Sequence, residues 1–222
     1  GAWRGIFIGS ASVDNIFEHV EISYGGSTNM ATYFHTPTLG VKSAMIVTTN
    51  VSFTGSAGYG IETRRDGSDF TLESCEFENN IDCCTRIRPT HTSRTDNQTD
   101  FNSGDVEIYK GDTETSGSET WSNLNNGAYY VTGTITLNNS VTIEPGALFE
   151  MGTDNKLIVS RGTNPGTIKA LGSSESQIVF TGRSKIPGAW GGILVSSGSV
   201  ENEMDHVKIE YGGGDDLAIY MP

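Results

Sequence analysis

The chain opens on GAWRGIFIGSASVDNIFEHVEISYGG, residues 1–26, and carries GAWGGILVSSGSVENEMDHVKIEYGG at residues 188–213. Placed without a gap at an offset of 187, residues 1–35 and 188–222 are identical at 17 of 35 positions. Trp3/Trp190, Val13/Val200, Asn15/Asn202, His19/His206, Val20/Val207, Ile22/Ile209 and Tyr24/Tyr211 are among them. Identity at this level over a fixed offset marks an internal repeat, and a repeat decides the fold before any local reading does. The expectation is that residues 1–187 form one repeat unit and residues 188–222 begin a second copy, continuous with the same solenoid. The chain is then a window on a longer tandem array, with an open strand at either end.

A shorter period lies inside the long one. FEHVEI, NVSFTG, LESCEF, DVEIYKG and MDHVKI alternate apolar and polar residues and run into turns of Gly, Asn or charged residues. Strict alternation marks a strand with one buried face. Val20, Val51, Cys75 and Val106 hold the same place in four of these segments, at spacings of 31, 24 and 31 residues. Between Gly127 and Gly182 come TITL, VTIEPGALFEM, KLIVS, GTIKA and SQIVFTG, punctuated by Pro145-Gly146 and Asn164-Pro165-Gly166. No amphipathic helix interrupts them. Strands without crossover helices, repeated once per coil of roughly 20–30 residues, predict a solenoid. The fold class expected is all-β, a single-stranded right-handed parallel β-helix of several such coils, with Val20, Val51, Cys75 and Val106 stacked in one buried ladder.

The run VTIEPGALFEM…KLIVSRG…GTIKALGSSESQIVFTGRS…GAWGGILV…NEMDHVKIEYGG resembles the repeats of large exported bacterial surface proteins built on the pectate-lyase-like β-helix scaffold. The likeness covers most of the chain and is faintest over residues 80–125. It implies the fold and export. It implies no activity, because this scaffold carries lyases, hydrolases, adhesins and surface proteins alike.

Composition narrows the partners. Gly is 28 of 222 residues and Pro only 6, which suits short strands and tight turns. Lys and Arg total 14 against 27 Asp and Glu, a net charge of −13. Such a surface repels nucleic-acid phosphates and anionic lipid, and no basic cluster offsets it. No apolar run reaches the roughly 20 residues of a membrane span. A leader peptide is not legible, but a chain that starts in mid-repeat would have lost one, so the expected location is extracellular or at a bacterial cell surface. The expected partners are neighbouring repeat units or identical subunits end to end, with glycans as a further class.

Each residue type that could carry chemistry has a structural reading beside the functional one. Trp3 and Trp190 could stack on sugars, but a residue demanded by the repeat is expected to pack a turn against the next coil. Tyr24 and Tyr211 read the same way, as do His19 and His206, since a base specific to one site need not recur in both copies. His35 and His91 stand in no Ser/His/Asp or H-E-x-x-H context. A lyase on this scaffold would use clustered Asp with a nearby Arg or Lys. Loop 85–125 offers Arg86, Arg88, Arg94, Asp96, Asp100 and Asp105, and Asp215-Asp216 is a second acidic pair. Spacing alone does not make a cation site of them. Cys75 reads as a small buried apolar residue of the ladder. Cys83 and Cys84 are adjacent, so one is expected buried and the other exposed. No catalytic, cofactor-binding or metal-ligating residue is assigned, and no cofactor is expected. The function expected is that of a non-catalytic structural or adhesive module of an exported tandem-repeat protein. The alternative is a carbohydrate-binding or lyase-like β-helix using loops in 85–125.

Overall fold

The computed structural model describes residues 2–9, 11–27, 34–64, 68–102, 104–113, 117–160 and 165–214. Among them a single 3-10 turn, Pro89–His91, is helical, and all other regular structure is strand. Contacts divide the chain into two compact units, Gly1–Glu107 with Leu124–Ala128, and Ile108–Asn123 with Tyr129–Pro222. The second copy of the repeat therefore lies wholly in unit 2.

Unit 1 is built of circuits of three short strands. The first holds β1 (Ile6–Gly9), β2 (Asn15–Glu18) and β3 (Glu21–Ser23). The second holds β4 (Leu39–Lys42), β5 (Met45–Thr49) and β6 (Ser52–Thr54), the third β7 (Ile61–Arg64), β8 (Asp69–Glu73) and β9 (Glu76–Glu78). Then come β10 (Thr85–Ile87) and β11 (Asp105–Ile108), whose last residue falls in unit 2. The pairings within these circuits are parallel and join a strand to the one three places on, β1–β4–β7–β10, β2–β5–β8 and β3–β6–β9, whereas β11 follows β10 directly in its sheet. Three parallel sheets revisited in turn are compatible with a parallel β-helix.

Unit 2 repeats this grammar. Its strands are β12 (Gly111–Asp112), β13 (Ser118–Trp121), β14 (Ala128–Val131, whose first residue falls in unit 1), β15 (Ile135–Leu137), β16 (Ser140–Ile143) and β17 (Leu148–Met151). They continue with β18 (Lys156–Val159), β19 (Thr167–Leu171), β20 (Ile178–Gly182), β21 (Gly192–Val195), β22 (Glu203–Asp205) and β23 (Val207–Glu210). They pair in parallel as β12–β15–β18–β21, β13–β16–β19–β22 and β14–β17–β20–β23. The turn in VTIEPGALFEM falls at Glu144–Ala147, where Pro145 presets its φ and Gly146 takes a φ of 88° that an L side chain resists.

Parallel register turns alternation into ladders. Ile22, Phe53 and Phe77 stand one above another on β3, β6 and β9. The Phe53 and Phe77 rings stack at 5.0 Å, and Phe77 stacks on Phe101 at 5.4 Å. In unit 2 Tyr129, Phe149 and Phe180 stack at 4.9 and 4.8 Å, and Ile209 follows Phe180 in register. Each unit thus has an aromatic column ended by an isoleucine. Burying each ring contributes about 1.5–3 kcal/mol.

The expected stack joins Val20, Val51 and Cys75 and fails at Val106, and the expected burial fails in part at Val20. Val51, Cys75 and Val106 are buried, and Val20, in the first circuit, is half-buried. Ser52 N–H donates to Val20 C=O and Glu76 N–H to Val51 C=O, so Val20, Val51 and Cys75 do stack. The next residue in that column is Thr99, whose Oγ1 accepts from Cys75 N–H. Val106 lies instead on β11, beside β10, where Cys84 N–H donates to Asp105 C=O. Alternation marks a strand and its buried side; it does not say which of three sheets the strand joins. The expectation for Cys83 and Cys84 also fails, because both are buried. They sit in a bend before β10, where the two-residue alternation of a strand does not operate.

Candidate functional site

The recurring residues of the repeat turn out to hold its backbone. His19, Asn50 and Ser74 precede Val20, Val51 and Cys75 and adopt φ of 54°, 52° and 53°. Left-handed backbone is sterically costly for most residues and more accessible to Asn and His. His206 repeats it at 48°, as Tyr24 and Tyr211 repeat 57° and 59°. Trp3 Nε1 donates to Ser23 C=O at 2.8 Å, and Trp190 Nε1 donates to Glu210 C=O at 2.8 Å, the equivalent pair of the second copy. Ser27 N–H to Trp3 C=O and Gly214 N–H to Trp190 C=O repeat as well. Each indole therefore fastens the start of its own circuit to the end of that circuit, rather than to the next coil.

The residues of loop 85–125 are dispersed. Asp96 accepts from Ser74 N–H, Thr99 N–H at 2.8 Å and Thr99 Oγ1 at 2.7 Å, so its carboxylate replaces missing backbone partners at a corner. Asp100 does the same for Asn102 N–H and holds Asn126 Nδ2. Arg94 pairs with Asp69 at 2.9 Å. Arg88 precedes the 3-10 turn, and Asp105 begins β11. Asp215 and Asp216 lie outside the described residues. Among the described residues no group of three or more His, Cys, Asp and Glu side chains converges as metal ligands would. No helix among them is long and apolar enough to cross a membrane.

One residue of the loop, Arg86, does enter a cluster of functional type. Register places it beside Glu62, on neighbouring strands β10 and β7. Its Nη1 donates to Glu62 Oε1 at 3.1 Å and its Nε to Glu107 Oε1 at 3.1 Å. Tyr59 OH donates to the other oxygen of Glu107. Glu62 Oε2 accepts from His35 N–H at 2.6 Å. His35 Nδ1 lies 2.7 Å from Arg86 Nη1 and 3.0 Å from Glu62 Oε1, between a donor and an acceptor. Glu62 is wholly buried, Arg86 and Glu107 nearly so, and His35 is 56% exposed. The cluster runs from the interior to the surface through that one imidazole.

Its electrostatics keep Tyr59 neutral and Arg86 charged. Burial, then the bond to Glu107, pushes the Tyr59 phenol far above its ordinary range, so it stays protonated. For Arg86 burial works against the charge, but Glu107 and Glu62 outweigh it and raise its pKa. A general base needs a pKa near the working pH, and neither group is moved toward it. His91 is buried against Phe70, its rings 5.6 Å apart, and burial drives its pKa down to about 4. Cys75 donates toward Thr48, and burial raises both its pKa and that of Cys84, the latter to about 12. Such thiols are not reactive nucleophiles.

Tyr59, Glu62 and Glu107 carry no local motif. Their signal is separation. Arg86–Glu62 spans 24 residues, as do Thr49–Glu73, Ser56–Asn80 and Cys75–Thr99. A charge one circuit length from an opposite charge is a ladder pair. Compared with known proteins, the chain matches no family model, no curated protein and no solved structure.

Proposed function

We propose that the chain is a right-handed parallel β-helix acting as a non-catalytic structural or adhesive module, within an exported, tandem-repeat bacterial surface or filament protein. One observation carries this reading. The residues that recur across the 187-residue offset rebuild the same indole and backbone bonds in the second copy, so what the repeat preserves is scaffold. The polar residues that could have formed a loop-borne site bond to corners or to one another instead. The resemblance to exported β-helix repeats supplies the location, and the acidic surface disfavours nucleic acid as a partner.

Chains of one, two and three repeat units, viewed by electron microscopy, test the structural part. Length should grow by a constant increment per unit, with each unit folded. Incubation with acidic polysaccharides, followed by the ultraviolet absorbance of unsaturated products, tests the other part. Product release that is lost in Arg86→Ala would replace the scaffold reading with the lyase alternative.

A further inference from the structure

The two copies of the repeat meet different surroundings. In the first, β1, β2 and β3 are covered by β4, β5 and β6, with Ile8 opposite Val41, Phe17 opposite Thr48 and Ile22 opposite Phe53. Ile22 is 3% exposed and Ile8 9%. In the second, β21, β22 and β23 are, among the described residues, the last strands of their three sheets. Ile209, the same residue as Ile22 in the repeat, is 51% exposed, and Val195, equivalent to Ile8, is 44%. Met204, in the place of Phe17, is exposed too. The column Tyr129–Phe149–Phe180 ends on Ile209 with one face bare, whereas in unit 1 the equivalent isoleucine touches the next ring of its column, Phe53.

We infer that the edge formed by β21, β22 and β23 is a docking surface for a strand trio of the Leu39–Thr54 type, supplied by another unit of the same repeat. The inference rests on the parallel β-helix reading and adds a partner and a register to it. Val195 stands opposite the partner unit's equivalent of Val41, Met204 opposite that of Thr48, and Ile209 opposite that of Phe53. This docking continues a contact already present in the molecule. An acceptor with the same corner backbone and the same indole bond presents the same inward positions, and β4–β6 is the sequence that fits them. A parallel partner in this register would also pair with the backbone groups of a terminal strand.

The test uses the full chain, extended after residue 222 by a second copy of its own residues 36–107, beside a control carrying a scrambled version of that extension. In the first copy His19 N–H donates to Thr49 C=O and Tyr24 N–H to Thr54 C=O. Docking in this register recreates both bonds at His206 and Tyr211. Hydrogen exchange of those two amides is expected to slow about tenfold or more in the extended chain, and not in the control. An Ile209→Cys side chain should lose its access to alkylating reagents in the same comparison. Unchanged exchange and alkylation, or an equal effect of the scrambled extension, overturns the inference. Protection that instead rises with the concentration of the unextended chain means that a second copy's outer edge is the occupant, and overturns the pairing of Ile209 with the equivalent of Phe53. Enzymatic product from a chain whose edge is protected would refute the non-catalytic reading and leave the docking surface standing.

Discussion

Replacing Arg86 by methionine probes a charged cluster in the interior of unit 1. Arg86 bridges Glu62 and Glu107, its two donors diverging to carboxylates on β7 and β11. Methionine keeps much of the stem volume and removes the charge. Glu62, with no exposed side-chain surface, then keeps its backbone bond from His35 N–H, and Glu107 keeps Tyr59 OH. Neither neutral donor offsets a buried negative charge. Removing one partner of a buried pair costs roughly 3–5 kcal/mol, and the remaining hydrogen bonds together with the exposed His35 face place Arg86→Met near the lower end, about 3 kcal/mol. Arg86→Lys should recover part of this, because an ammonium supplies the charge but cannot reach both carboxylates as the guanidinium fork does. Urea unfolding of the three proteins followed by circular dichroism at neutral pH gives the differences. A triple replacement, Glu62→Gln, Arg86→Met and Glu107→Gln, should lie closer to wild type than Arg86→Met alone, because the buried charges leave together. A loss below about 1 kcal/mol for Arg86→Met would mean that solvent already reaches the two carboxylates, and the buried brace would be refuted.

Three further outcomes rest on the same packing. Val51→Asp puts a carboxylate into the column between Val20 and Cys75 and should prevent cooperative unfolding or lower stability by several kcal/mol, on the order of other unpaired buried charges; near-wild-type thermal melting would take Val51 out of the core. His91, held neutral with its pKa lowered to about 4, stabilises the fold fully above its unfolded value of 6.5. That contribution is lost as pH falls from 6.5 toward 4, because the unfolded chain takes up the proton first; the stability difference between wild type and His91→Phe should shift by about 3 kcal/mol over that interval. The three cysteines should react with a thiol reagent only at the rate of unfolding, and a fast-reacting thiol in native buffer would contradict their burial.

Much of this fold is legible along the chain because its ladders join residues of like character at near-constant spacing. Phe17, Val20 and Ile22, then Val51 and Phe53, then Cys75 and Phe77, announce strands and their buried faces. The faint part is residues 80–125. There Thr99 continues a column that hydrophobicity would assign to an apolar residue, and Phe101 extends the Phe53–Phe77 stack from outside any regular strand. Threonine is admitted because its Oγ1 is satisfied by Asp96 and Cys75 N–H, which no pattern of apolar residues reveals. The charged cluster is half visible in the sequence. Arg86 stands out as a candidate for loop chemistry, but Glu62, Glu107 and Tyr59 become its partners only through register.

Register also explains why the repeat keeps the residues it does. A solenoid unit has to reproduce two kinds of position if successive copies are to stack: inward side chains of matching size, and corners of matching backbone shape. The inward positions tolerate exchange, as Ile8/Val195 and Phe17/Met204 show, because a column accepts any apolar group of similar volume. The corners tolerate less. His19 and Tyr24 sit at positive φ, and Trp3 must reach one particular carbonyl, so these are identical in the second copy although all three have exposed surface in the first. Identity at exposed aromatic and imidazole side chains ordinarily directs attention to binding. In this chain it is accounted for by the turn each residue makes, and a ligand for them would need a contact beyond those bonds. Substituting His19 by Asn, which also adopts left-handed backbone, should therefore leave stability within about 0.5 kcal/mol, whereas His19→Val should lower it by roughly 1–2 kcal/mol. Equal tolerance of the two would show that the corner does not depend on that backbone shape, and the recurrence of histidine would then call for a ligand.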